Sequence, residues 1–160
     1  MTCALESALW SPDGRMIFKR FTTKSIVTRD LETGQEKEIY RWVSPAFVSR
    51  STSDLSISRD GQRLAFVQVG GDAGRKDEEA GITTLNVIPT AGGEARELLR
   101  AHAPEVISEP TWMPDSRHII YARSVVGEKR QFTLWRVPAS GGEPQSLGLT
   151  MAGLQPYGLN

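Results

Sequence analysis

The sequence predicts an all-β chain of repeated four-stranded units, and three features of its 160 residues carry that prediction. A turn motif recurs as Trp10-Ser11-Pro12-Asp13-Gly14, Ile57-Ser58-Arg59-Asp60-Gly61 and Trp112-Met113-Pro114-Asp115-Ser116, its Asp residues 47 and 55 positions apart. A second marker follows in every unit: Thr33-Gly34-Gln35-Glu36, Ala91-Gly92-Gly93-Glu94 and Ser140-Gly141-Gly142-Glu143. No segment keeps apolar residues at i, i+3 and i+4 over the ~10 or more residues of a typical helix.

Each unit reads as strand A, a tight turn, strand B, a variable loop, strand C, a Gly-rich turn and strand D. Strand A ends at Trp10, Ile57 or Trp112. The turn then needs positive φ, which Gly14 and Gly61 adopt at low steric cost beside Asp13 and Asp60. Pro12 and Pro114 lack an amide hydrogen and suit the turn entry. Asp115 is followed by serine, so the third turn is expected to be looser or of another type. Strand B opens on Arg15, Arg63 or Arg117 and runs into Met16-Ile17-Phe18, Leu64-Ala65-Phe66 and Ile119-Ile120-Tyr121. The recurring Arg reads as a structural hydrogen-bond donor. Strand C is Ser25–Thr28, Thr84–Ile88 or Phe132–Val137, and strand D ends near Tyr40, Leu98 and Leu147. Glu94 to Arg100 contains helix formers, but its place in the repeat makes it strand D.

Four-stranded antiparallel units with a period near ~40–50 residues are blades of a β-propeller. The expected blades are 5–50, 51–105 and 106–152, and Gln155-Pro156-Tyr157-Gly158-Leu159-Asn160 resembles another strand A. About three blades plus a partial fourth fall below the ~4–8 of closed rings. The expectation is a piece of a longer propeller. A complete chain would instead have to pair its open ends with another copy, as a homo-oligomer, or cap them.

Composition excludes several classes. Lys+Arg and Asp+Glu number 19 each, so no net charge draws in nucleic acid. No run approaches the ~20 apolar residues of a membrane helix, and Met1 to Glu6 does not read as a signal peptide. One cysteine rules out an internal disulfide framework.

The S-P-D-G turn, the apolar strand after it and the later G-G-E turn resemble the TolB-like propeller repeats of bacterial proteins, over roughly residues 7 to 160. The Trp-Asp pair of WD-type repeats is missing, and the sialidase aspartate box fails because Asp and Gly are adjacent. The resemblance implies a non-catalytic scaffold that binds protein or another biopolymer, periplasmic by analogy with TolB, or a sensor segment behind a kinase or winged-helix domain. Related propellers gate prolyl oligopeptidase-type serine peptidases, so the alternative is a gating segment whose catalytic domain lies outside this chain.

Candidate contact residues cluster in two connections expected on one rim. The B–C insertion 70–81 carries Asp72, Arg75, Lys76, Asp77, Glu78 and Glu79, as partner contacts or as a solvated loop. The D–A connection 101–109 carries His102, Glu105 and Glu109. Trp42, just after the first strand D, is the aromatic candidate for facing a ligand. Trp10, Trp112 and Trp135 sit at strand positions and read as blade packing. The turn residues Asp13, Gly14, Asp60, Gly61, Asp115, Gly34, Gly92, Gly93, Gly141 and Gly142 are structural. There is no G-x-S-x-G elbow, no phosphate-loop Gly-Lys-Ser/Thr and no metal spacing for His102 and His118, so no catalysis, cofactor or metal is expected. Cys3 has no neighbouring base to activate it.

Overall fold

Apolar runs that do not alternate mark strands covered on both faces. Arg63–Gly70 (β7) and Ile82–Pro89 (β8) are such runs, with Leu64, Ala65, Phe66, Val67, Leu85, Val87 and Ile88 all buried. In the computed structural model, which describes residues 8–44, 46–49, 54–70, 81–125 and 131–152, they form the middle of the central one of three antiparallel sheets. The predicted strand at 155–160 and the insertion residues 71–80 lie outside the described residues.

The first sheet is an up-and-down meander of β1 (Ala8–Trp10), β2 (Met16–Arg20), β3 (Ser25–Arg29) and β4 (Glu36–Arg41). The third repeats it with β10 (Glu105–Trp112), β11 (His118–Val125), β12 (Gln131–Pro138) and β13 (Gln145–Ala152). In the second, strand A is split: β5 (Phe47–Val48) and β6 (Leu55–Ile57) both pair with β7, which leads through β8 to β9 (Arg96–His102). β10 has a related irregularity, a register shift between Ser108 and Thr111 with Glu109 at φ 54°. The described residues contain no α-helix and no helix that is long and apolar enough to cross a membrane. The sheets are β-propeller blades, and the helix-forming stretch after Glu94 is indeed strand.

Two apolar clusters hold the blades together, and both lie between sheets. Ile17, Ile26, Ile39 and Trp42 of the first blade meet Val48, Leu55, Leu64, Phe66 and Ile88 of the second. Ala65, Val67, Leu85, Val87 and Ala101 of the second meet Ile107, Trp112, Ile119, Tyr121 and Val137 of the third. The period of two along β7 divides its side chains: Leu64 and Phe66 serve one cluster, Ala65 and Val67 the other.

The A–B turns share one hydrogen-bond scheme. The Gly14 amide donates to Ser11 O at 2.9 Å, Gly61 to Ser58 O at 2.8 Å and Ser116 to Met113 O at 3.0 Å. Ser116 takes φ 52° where Gly61 has 71°, so the third turn is not looser; serine adopts the left-handed backbone itself. The Arg series needs a correction. Ser11, Ser58 and Met113 each donate from their amide to the turn exit, at Arg15, Arg63 and His118. The second and third turns are one residue longer, so His118 and not Arg117 is the structural counterpart of Arg15 and Arg63.

The turn aspartates carry their negative charge into local donors. The Ser11 hydroxyl holds the Asp13 carboxyl below its usual range, and the Ser58 hydroxyl does the same for Asp60. The Asp115 carboxyl is pushed down to about 2, first by the Arg117 amide at 2.8 Å and then by the His118 ring at 2.7 Å. Neighbouring turns also touch. The Asp60 amide donates to Ser116 Oγ at 3.2 Å, and a methyl on Gly61 would lie 3.1 Å from Pro12 Cδ.

Four outcomes follow for urea unfolding. Phe66→Ala, at a fully buried position, is expected to cost about 3–5 kcal/mol. Gly14→Ala meets open space and is expected to cost only the left-handed strain of about 1–2 kcal/mol. Gly61→Ala adds the Pro12 contact and is expected to cost more, about 2–4 kcal/mol in all. An equal cost for the two glycines would contradict the turn-to-turn contact. The Asp115 stabilisation is full above the unfolded carboxyl value of about 4 and is lost as pH falls through about 2. Between those values the urea midpoint should fall more steeply for the native chain than for Asp115→Asn.

Candidate functional site

The rim that carries the B–C and D–A connections is organised around the second blade. Gly70, the last residue of β7, pairs with Ile82, and Ile82 pairs with His102 at the end of β9. The Ala103 amide donates to Gly81 O at 2.7 Å, tying the D–A turn to the end of the B–C insertion. Asp72, Arg75, Lys76, Asp77, Glu78 and Glu79 lie within 71–80, outside the described residues.

The D–A connection is shorter than expected. Ala103 and Pro104 alone join β9 to β10, so residues 105–109 are strand and not loop. The ladder pairing with Val125, Ser124, Arg123 and Ala122 draws 105–108 into the third blade. His102 and Glu105 are exposed at the rim, and the Glu105 carboxylate meets Arg123 at 3.4 Å. Glu109 lies four residues further along, about 13 Å of strand away. Glu105 and Glu109 are spread along β10 while His102 ends β9, so the three do not converge on one pocket. Trp42 is 4% exposed and packs edge-on against Phe21, with ring centroids 5.6 Å apart, as part of the first inter-blade cluster. Its indole is a packing element and lines no surface.

A cleft of about 150 Å³ opens on the second blade, beside Gly70 and Ile82 at the two ends of the insertion. Ala46, Gln68, Gly70, Ile82, Thr84, Glu97 and Arg100 line it. A methyl on Gly70 would lie 3.0 Å from Ala46 Cβ, so glycine lets the chain before β5 close against β7. Tyr40 Oη donates to Gln68 Oε1 at 3.1 Å, and Arg100 pairs with Glu97 at 2.7 Å. Burial pushes the Tyr40 hydroxyl above its ordinary value. The lining offers an amide, a hydroxyl and an ion pair, which is recognition chemistry.

A second polar constellation lies on the inner strands and joins all three blades. Lys19, 2% exposed on β2, donates from Nζ to Ser49 O. The Ser49 hydroxyl donates to Asp54 Oδ2, and the Glu109 amide donates to Asp54 Oδ1 at 2.7 Å. Register places Lys19 where the second and third blades have Val67 and Ala122. Sequence reasoning missed this group, although a lysine inside Met16-Ile17-Phe18-Lys19 was the available signal. Among the described residues, no three or more His, Cys, Asp or Glu converge on a common point.

No protein-family model matches the sequence, and no curated protein matches it. Solved structures do match in fold. TolB from Acinetobacter baumannii superimposes with a TM-score of 0.60 at 18% identity, over 89% of this chain and 32% of its own. A putative TolB from Agrobacterium tumefaciens gives 0.62 at 14% identity, over 90% and 48%. The acylaminoacyl peptidase of Pyrococcus horikoshii gives 0.65 at 22% identity, over 91% and 25%. The chain thus has a TolB-like propeller fold and spans between a quarter and about half the length of these proteins.

Asp54→Ala removes the acceptor of the Glu109 amide. It is expected to cost about 1–3 kcal/mol. Equilibrium unfolding checks this, and a loss below ~0.5 kcal/mol would show that the inner strands do not depend on that carboxylate.

Proposed function

We propose that the chain is part of a non-catalytic propeller scaffold that binds a protein or another biopolymer at the rim of its second blade. The observation that carries this reading is the polar cleft of Gln68, Thr84, Glu97 and Arg100 beside the ends of the 71–80 insertion. A partner segment laid across the rim would meet the Glu97–Arg100 pair, and the sequence of the 71–80 connection supplies further charged residues. Extended polar recognition of this kind uses loops on a rigid scaffold. The TolB-like fold supports the scaffold role, and TolB resemblance supports a periplasmic setting.

The second reading is a propeller segment attached to a serine peptidase domain, favoured by the fold match to the acylaminoacyl peptidase. In that arrangement the rim would face the catalytic domain and control access to it. The two readings differ in covalent chemistry, because only the second provides an activated serine in the intact protein.

The test uses the intact protein with a photo-crosslinking amino acid at Gln68. The partner trapped there is then assayed against two variants, one lacking 72–80 and one carrying Glu97→Ala with Arg100→Ala. At least a tenfold loss of affinity in either variant is expected, equivalent to about 1.4 kcal/mol. Unchanged binding in both sinks the scaffold reading. Labelling of the intact protein by a fluorophosphonate, at a serine outside this chain, would support the peptidase reading instead.

A further inference from the structure

The two junctions between blades differ in chemistry at the rim of the A–B and C–D turns. Thr28 pairs with Ile17 and Lys37, as Val87 pairs with Ala65 and Arg96, so Thr28 corresponds to Val87 and Lys37 to Arg96. The turn hydrogen bonds likewise match Arg15 with Arg63, Gly61 with Ser116, Thr90 with Ala139 and Gly92 with Gly141. The same backbone positions therefore carry different side chains at the first junction and at the second.

At the second junction the basic groups are used within the protein. The Arg63 guanidinium donates to Ser116 O and lies 5.0 Å from the Trp112 ring centroid. Arg96 lies against Gly141, where a methyl would be 2.5 Å from its Nη2. At the first junction the Thr90 hydroxyl donates to Gly61 O at 2.7 Å and takes the carbonyl that Arg15 would need; Ala139 has no hydroxyl to do the same. Arg15 is left with the Asp13 carboxylate of its own turn, at 3.5 Å, and both side chains are more than half exposed. Lys37 runs past Gly92, and among the described residues its ammonium has no hydrogen-bond or ion-pair partner. Between these groups opens a cleft of about 240 Å³, whose walls include Ser11, Asp13, Arg15, Thr28, Lys37 and Gln62. Thr28 is 8% exposed, and its hydroxyl has no partner in the protein. A buried hydroxyl left unpaired is costly, so one on the wall of a cleft points to a ligand atom.

We propose that this cleft between the first and second blades binds a compact oxyanion, a phosphate or carboxylate group, held by the Lys37 ammonium and the Thr28 hydroxyl with Arg15 beside them. Arg15 offsets the charge of Asp13, so Lys37 makes the lining net positive. Hydrogen bonds from a cation to an anion are the strong ones, and a hydroxyl adds direction to them. The volume is below the ~300–1,000 Å³ of sites for drug-sized ligands, which suits a small anion or the end of one acidic group. The A–B and C–D turns lie at the opposite end of the strands from the 71–80 connection, so this inference does not depend on the rim reading above.

Isothermal titration calorimetry of the intact protein with inorganic phosphate and, separately, with succinate at constant ionic strength tests it. Saturable binding of at least one of them is expected; phosphate alone assigns a phosphate group, and succinate alone a carboxylate. Lys37→Ala should weaken that binding by about tenfold. Thr28→Val should weaken it as well, and it introduces the side chain that the second blade already carries at Val87. Lys37 is exposed, so Lys37→Ala keeps the test decisive even if Thr28→Val does not fold. Arg96→Ala, at the second junction, should leave the affinity unchanged. Absence of saturable binding by either anion overturns the proposal. Binding that survives Lys37→Ala, or that falls equally with Arg96→Ala, also overturns it, because the anion then sits elsewhere or answers only to surface charge.

Discussion

No blade of this protein has a core of its own. A four-stranded sheet is one layer thick, so its apolar side chains become dry only when another sheet covers them. The second blade shows the consequence most fully. Leu64, Phe66 and Ile88 are covered by the first blade, while Ala65, Val67, Leu85 and Val87 are covered by the third. Its two middle strands therefore read as nearly unbroken apolar runs. β4, at the outer edge of the first sheet, keeps only Ile39 fully buried. Burial is thus a property of the junction between blades.

Polar groups are placed to fix the angle between blades that the apolar contacts alone leave loose. At the turn rim, Asp60 and Arg63 of the second blade hydrogen-bond to Ser116 of the third, while Gly61 closes against Pro12 of the first. On the inner strands, Lys19, Ser49, Asp54 and the Glu109 amide form a second tie across all three blades. Hydrogen bonds are directional where apolar packing is not, and a buried donor left unpaired is costly. The two ties lie at different positions along the strands, so together they resist both sliding and rotation of one sheet on the next. The cleft beside the ends of the 71–80 insertion keeps its shape because Gln68, Thr84, Glu97 and Arg100 stand on this braced second blade.

Much of the fold is legible in the residues because each signal is local. An Asp that caps its own turn, a residue able to take positive φ and an apolar strand after it act within about six positions, so they survive wherever the repeat occurs. Ser116 and His118 mark the limit of that reading. Serine in place of glycine suggested a different turn, and alignment on Arg117 put the third strand one residue out of step. Backbone pairing decided both. The candidate site was harder to read: His102, Glu105 and Glu109 are close in sequence, yet strand geometry spreads them apart, whereas Gln68, Thr84, Glu97 and Arg100 come from three strands. Trp42 looked available for a ligand because it follows a strand end, but the Lys24 carbonyl accepts its amide at 3.0 Å and folds the ring inward.

The sequence by itself determined the four-stranded unit, its turns and its repetition, since those rest on backbone conformation and on side chains a few positions apart. Only the tertiary structure decided which face of each strand meets which neighbour, and that Lys19 and Asp54 belong to one buried group. Those outcomes depend on register and on the stacking of one sheet over another, which bring together residues 30 to 56 positions apart and leave no local trace in the sequence.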